Sequence, residues 1–218
     1  MRLLVTKKIS LAFKERLLHH GFSVIDFPFI SIKPLPYTLD NIESHLIFTS
    51  QNAVRILLQE SQLTQKKCFC VGEKTKLLLE ENGQKVIKMA QNSSELAHFL
   101  IKNYKNERFS FFCGKRRMPD LEMHFKTHEM ALQVIPIYET LLNPHRMDAE
   151  VAGILFYSPS AVESFFMENK WPQKAYGFCL GNSTADALKA HTSQYYVALQ
   201  PNESALLVQL KKHFSTYA

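Results

Sequence analysis

No stretch of this 218-residue chain approaches the roughly 20 consecutive apolar residues of a membrane span. The motifs of common nucleotide and hydrolytic sites are missing too. There is no GxGxxG or GxxxxGK(S/T) loop to cradle a nucleotide phosphate, no GxSxG elbow and no HExxH zinc motif. No carboxylate pair stands out as an acid–base couple. An enzyme built on this sequence is expected to shape and electrostatically hold its substrate more than to attack it with a dedicated nucleophile. Cysteine is sparse: Cys68, Cys70, Cys113 and Cys179 sit in apolar strand-like runs and read as small buried hydrophobes. Cys68 and Cys70 lack zinc-knuckle spacing, and His124 and His128, one helical turn apart, have no third ligand nearby, so no metal site is expected.

The net charge of +6 favours an acidic partner. The basic residues, however, fall in short clusters far apart, at Lys7-Lys8, Lys66-Lys67, Lys115-Arg116-Arg117 and Lys211-Lys212. There is no continuous basic arm of the kind found in nucleic-acid binders. A small anionic ligand fits better than nucleic acid or a membrane surface. The opening "MRLLVTKKIS" has an apolar run shorter than the core of a signal peptide, and a cytoplasmic location is the expectation.

The chain repeats itself. "IFTSQNAV" from Ile47 returns as "LFYSPSAV" from Leu155, an offset of 108. "VGEKTKLLLEENG" from Val71 matches "LGNSTADALKAH" from Leu180, and "QNSSELAHFL" from Gln91 matches "QPNESALLVQL" from Gln200. In the other direction, "LLVTK" from Leu3 matches "FFCGK" from Phe111, and "SVIDFPFISIKP" from Ser23 matches "QVIPIYETLLNP" from Gln133. Nearly the whole sequence is therefore two copies of a unit of roughly 110 residues.

Each copy alternates β-rich runs with amphipathic helical segments, as in "RLLVT" followed by Ser10 as a helix cap, a stripe of Leu11, Phe13, Leu17 and Leu18, and Gly21 as the stop. Ten such strands with alternating helices predict an α/β protein of two similar doubly wound, flavodoxin-like lobes, each with a parallel five-stranded sheet. Two Pro-bearing segments at matching repeat positions read as paired linkers, 34–40 and 138–146. Residues 1–33 with 147–218 then form lobe one, discontinuous in sequence, and residues 41–137 form lobe two. A cleft between the lobes is expected.

In parallel α/β sheets ligands bind at the carboxyl ends of the strands, where helix N-termini present free N–H groups. Those corners carry Thr6 and Lys7; Thr49, Ser50 and Asn52; Gly72; Gly114 and Lys115; Ser158 and Ser160; and Gly181, Ser183 and Thr184. The same hydroxyls and amides serve equally as helix caps, and both readings stand for each residue alone. Asn92 with Glu95, and Asn202 in the other copy, need no role beyond capping. Taken together, the corners make an anion cradle.

The segments "FTSQNAV", "VGEKTKLLLEENG", "IPIYET", "YSPSAVESF" and "LGNSTADAL" resemble the motifs of the uroporphyrinogen-III synthase family, in order and over nearly the full length. The resemblance implies a cyclising lyase of tetrapyrrole (heme) biosynthesis. It takes linear hydroxymethylbilane, a substrate with eight carboxylates, removes water and closes the ring with inversion of ring D, using neither metal nor organic cofactor. It places the family's tyrosine of the YxT motif, a weak acid for hydroxide loss, on Tyr138. It places ligand-contacting corners on Thr6, Ser50, Ser158 and Thr184, beside which Lys7, Asn52, Lys115 and Ser160 complete the substrate-binding set. Where the family often has Thr-Arg-Pro, this chain has Thr6-Lys7-Lys8, which gives up bidentate carboxylate binding. The helix start at Gly181-Asn182-Ser183-Thr184 keeps the glycine and threonine of a GPxT pattern without the proline. A monomer is expected. The alternative from a different class is a two-lobed binding module that captures an anionic small molecule without chemistry.

Overall fold

A computed structural model describes residues 1–60, 63 and 66–214. The chain divides into two compact units, one formed by residues 1–31 and 141–218 and the other by residues 32–140. Unit 1 holds β1 (Arg2–Val5), α1 (Leu11–His19), β2 (Ser23–Asp26), β9 (Gly153–Phe156), α6 (Pro159–Glu168), β10 (Tyr176–Cys179), α7 (Asn182–Lys189), β11 (Tyr195–Val197) and α8 (Glu203–Phe214). Unit 2 holds β4 (His45–Phe48), α2 (Gln51–Glu60), β5 (Lys67–Val71), α3 (Glu73–Glu81), β6 (Lys85–Ala90), α4 (Ser93–Asn103), β7 (Phe109–Gly114) and α5 (Asp120–Thr127). Two strands carry the crossings between units: β3 (Ile30–Pro34) and the long β8 (Leu132–Leu142).

The sheet of unit 1 runs β2-β1-β9-β10-β11, all parallel. That of unit 2 runs β3-β8-β7-β4-β5-β6, with every pair from β8 to β6 parallel. Numbered within the sequence repeat, and leaving aside the β3 edge of unit 2, both sheets have the same spatial order, 2-1-3-4-5. Each takes its first two strands from one copy and its last three from the other. In this order neighbouring strands wind in opposite directions on either side of one gap, which lies between β1 and β9 in unit 1 and between β7 and β4 in unit 2.

Helices cover both faces of each sheet, so the central strands are buried along their length, as in "GILF" of β9 and "FSFFCG" of β7. Successive side chains of one strand enter opposite cores. In unit 1, Leu3, Val5, Leu155 and Phe178 pack with Phe13, Leu17, Leu206 and Leu210 on one face. Leu4, Ile154, Phe156 and Cys179 pack with Val162, Phe165 and Leu188 on the other. Unit 2 repeats the scheme, with Leu46, Phe48, Cys68, Cys70 and Phe112 against Val54, Leu57 and Leu79, and Ile47, Phe69 and Phe111 against Leu96, Leu100, Leu121 and Phe125.

Three expectations are corrected. The second sheet has six strands instead of five, because strand runs into both expected linkers: β3 joins the sheet edge beside β8 and ends at Pro34, and β8 runs on through Tyr138 to Leu142. The prolines of these two strands are tolerated there, Pro34 at the end of an edge strand and Pro136 beside a register shift between β7 and β8. On α1, only Phe13 and Leu17 are buried, one turn apart, while Leu11 and Leu18 are exposed. The caps at Ser10, which accepts from the Phe13 N–H at 3.3 Å, and at Gly21, with φ of 79°, are as the sequence indicates.

All four cysteines are free and buried. Burial pushes the thiols of Cys68, Cys70 and Cys179 up to about 12 and that of Cys113 up to about 11. At pH 8 none carries a thiolate. A disulfide-exchange reagent is expected to titrate no thiol in the native protein and all four in denaturant; a fast native thiol would contradict the packing.

Candidate functional site

Two corners lie at the gaps where the strand order reverses, one in each unit. In unit 2, β4 ends at Phe48, Thr49 and Ser50 follow, and α2 starts at Gln51. The Ser50 hydroxyl oxygen accepts from the Asn52 N–H at 3.1 Å, which anchors the first turn of α2. The neighbouring β7 ends at Gly114, and its partner β8 brings Tyr138 opposite it. A register shift makes this pairing: Cys113 faces Pro136 and Gly114 faces Tyr138, so Ile137 is the extra residue of a bulge. Without the bulge Gly114 would face Ile137, and Tyr138 would point to the other side of the sheet.

Tyr138 is 8% exposed. Its hydroxyl is within hydrogen-bonding reach of the Ser50 hydroxyl and the Asn52 side chain. Burial raises the pKa of the phenol above its ordinary value, and the nearby Ser50 and Asn52 side chains only partly oppose that. Tyr138 is thus a neutral phenol at pH 7, able to donate a proton but not to act as a base. Its ring occupies the space a side chain at position 114 would need. A Cβ built on Gly114 would stand 2.8 Å from Cε2 and Cζ of Tyr138 and 3.0 Å from its hydroxyl. The backbone is pinned as well, since the Lys115 N–H donates to the Tyr138 carbonyl at 2.8 Å. The Lys115 ammonium, on an exposed side chain, pairs with Glu139 at 3.2 Å.

Position 114 corresponds in the repeat to Thr6, at the end of β1 in unit 1. There the residue is buried, and both its N–H and its hydroxyl donate to the Leu155 carbonyl, at 3.0 and 2.9 Å. Thr6 therefore ties β1 to β9. The next residue, Lys7, pairs with Glu203 at 3.0 Å and lies over the Tyr157 ring, 4.1 Å from its centroid. Ser158 caps α6, accepting from the Ala161 N–H at 3.2 Å, and Ser160 lies half-buried in the first turn. Thr184 is buried in the first turn of α7, where its N–H donates to the Gly181 carbonyl at 3.2 Å.

The corners are therefore of two kinds. After β4, β5, β9 and β10 a helix begins at once, and its first amides point out of the sheet end. After β1 and β7 the helix is delayed, to Leu11 and to Asp120. Neither Thr6 and Lys7 nor Gly114 and Lys115 therefore open a helix, contrary to the expectation for the set; the loop after β7 is held by Arg117, which donates to the Gly114 and Lys115 carbonyls at 3.4 and 3.3 Å. In unit 2 the structure brings Tyr138, Ser50 and Asn52 together, with Lys115 on the adjacent strand end. In unit 1 it brings Thr6, Lys7 and Ser158 to one strand end, with Thr184 one strand further along, past β9. The contribution of Gly114 to seating Tyr138 was not apparent from the sequence, although the signal was there: the repeat has threonine in one copy and glycine in the other. Asn92 and Asn202 cap α4 and α8, accepting at 2.8 Å from the Glu95 and Ala205 N–H groups. Among the described residues no three His, Cys, Asp or Glu side chains gather as a metal site, and His128 instead bonds the His124 carbonyl, 2.9 Å from its Nδ1.

Comparison with known proteins finds the same fold in solved structures. The uroporphyrinogen-III synthetase of Helicobacter pylori superposes over 98% of this chain and 100% of its own, with a TM-score of 0.75 at 20% identity. A mutant uroporphyrinogen III synthase of the extremely thermophilic bacterium Thermus thermophilus gives a TM-score of 0.69 over 99% of each chain at 19% identity. In sequence, the porphyrin biosynthesis protein HemD of Ruminiclostridium josui is 23% identical over 96% of this chain, which spans 48%, about half, of that relative's length. Residues 12–208 match the family described as uroporphyrinogen-III synthase HemD, and the chain belongs to that family.

Proposed function

We propose that this chain is a uroporphyrinogen-III synthase acting on linear hydroxymethylbilane in heme biosynthesis, as a monomer, in the cytoplasm, without metal or organic cofactor. The observation that carries this reading is the seat of Tyr138: a neutral, buried phenol packed over Gly114 at a strand-order reversal, with Ser50 and Asn52 of the α2 start within reach of its hydroxyl.

The chemistry asks little of a nucleophile and much of a holder. Loss of hydroxide from ring A leaves an azafulvene cation. The substituted carbon of ring D attacks it to form a spiro intermediate, which fragments and recloses inverted. The free α-position, if left unguided, gives the type I isomer instead. Selectivity therefore comes from the pose of ring D, a matter of geometry. The substrate's carboxylates suit the outward amides of α2, α3, α6 and α7, whose helix dipoles favour negative charge. Tyr138 donates a proton to the departing hydroxide, and the pyrrole nitrogen lone pair supplies most of the drive for that departure.

The test is to generate hydroxymethylbilane in situ with the purified chain present, oxidise the product and separate the uroporphyrin isomers. Type III is expected. Type I alone, formed at the rate without protein by a folded sample, would favour the binding module instead.

Tyr138→Phe is expected to lower kcat by about tenfold, less than the roughly 10²–10⁴ of full acid catalysis, because the lone-pair push remains. Gly114→Ala displaces the phenol and should cause a loss of similar size, while the double variant loses no more than either single one. Additive losses in single-turnover assays would separate the two residues.

The pH dependence has a definite sign. A phenol whose folded pKa is raised keeps its proton past the ordinary value of about 10. Its contribution to stability is present below that value and lost as pH rises through the folded pKa. No alkaline limb in kcat due to Tyr138 is therefore expected below about pH 10; a limb near pH 8 that vanishes in Tyr138→Phe would refute the donor role.

A further inference from the structure

The Lys7 corner of unit 1 contains a carboxylate of the protein's own. Lys7 Nζ lies 3.0 Å from Glu203 Oε1, and the Tyr157 hydroxyl donates to the same oxygen at 3.4 Å. The ammonium also lies 4.1 Å from the Tyr157 ring centroid. The three residues come from the end of β1, the end of β9 and the first turn of α8, so they meet at the carboxyl ends of the strands beside the order reversal. An ammonium and a phenol converging on one carboxylate oxygen form a carboxylate-binding pair that is already filled.

The partners Glu203 and Tyr157 are specific to unit 1, since the matching Lys115 of unit 2 pairs with Glu139, from the adjacent strand. With Asn92 and Asn202 as matched caps, the position of Glu203 is Ser93 in the other copy, and that of Tyr157 is Thr49. The neighbouring cations have other partners: Lys8 and Lys14 are both turned to Asp26, at 3.7 and 3.4 Å, and Arg16 donates to the Ser204 hydroxyl at 3.2 Å. The pair is also open enough to be exchanged, because the Lys7 and Glu203 side chains are 39% and 22% exposed. Ion pairs at such sites are weak and screened.

We infer that Glu203 is an internal stand-in for a substrate carboxylate, holding Lys7 and Tyr157 until an acetate or propionate group of the substrate displaces it, so that Glu203 sets the apparent affinity. This rests on the polycarboxylate substrate proposed above. Binding gains the new Lys7 contact and loses the old one, which leaves the net attraction of this corner small and sensitive to what Glu203 does when released.

The measurement is steady-state KM and kcat for hydroxymethylbilane at low ionic strength with the wild type, Glu203→Gln, Lys7→Gln and the double variant. Glu203→Gln is expected to lower KM about twofold to fivefold, the range an exposed pair allows, with kcat unchanged. The gain disappears in Lys7→Gln/Glu203→Gln and shrinks in added salt. A purely structural ion pair moves KM the other way or not at all, so an unchanged or raised KM in a folded Glu203→Gln overturns the inference, as does a gain that persists without Lys7. If Glu203→Gln melts below the assay temperature, Glu203→Asp, which retracts the carboxylate by one methylene, must lower KM in the same direction, and an unmoved KM there also overturns it. A wild type that forms no type III product refutes the function; type III product with an unmoved KM refutes only the role of Glu203.

Discussion

Parallel strands covered by helices on both faces leave polar groups very little room. The middle of each sheet is filled by residues such as Leu46, Ile47, Phe48, Ile154 and Phe156, all fully buried. The backbone there is satisfied by ladders on both sides. Helix amides without partners, hydroxyls and charges are pushed to the strand ends, and the short β-α connections put helix N-termini at the carboxyl ends. The anion-binding character of those corners is a by-product of covering the sheet.

Within that frame, one corner is specialised by two small departures. The bulge at Ile137 reverses the facing of β8 by one residue, and glycine at 114 clears the space into which Tyr138 then turns. Neither acts alone: the bulge with a side chain at 114 would clash, and glycine without the bulge would face Ile137. Unit 1, which has Thr6 at the matching position, uses its hydroxyl to lace β1 to β9 and has Pro28 where the repeat puts Tyr138. Duplication supplied two equivalent corners, and the sequence differences between them divide the work.

The fold was largely legible from the amino acids because the repeat is. Matching "IFTSQNAV" to "LFYSPSAV" located the strand-to-helix corners, and the alternation of short apolar runs with amphipathic segments gave the parallel sheets. The Pro-bearing crossings misled, since proline marks a linker or an edge strand equally well and only pairing with β8 decides between them. At the site, the residue types were visible and their partners were not. Lys7 and Lys115 occupy matching positions, yet each is held by a glutamate remote in sequence or one strand away, Glu203 and Glu139. Bulges and side-chain pairings depend on register, and a single sequence carries no direct record of register.

If the strand-end amides hold a polycarboxylate, the contact map has a defined outline. The most direct measurement is an anaerobic titration of the isotopically labelled protein with uroporphyrinogen III, followed by amide chemical shifts. Shifts are expected at the carboxyl ends of the strands, around Lys7, Ser50, Gly72, Lys115, Ser158 and Gly181, and at Tyr138. Saturable shifts at the opposite strand ends, around Arg2, His45 and Ala152, with the carboxyl ends unmoved, would contradict the assignment of the site to the helix starts.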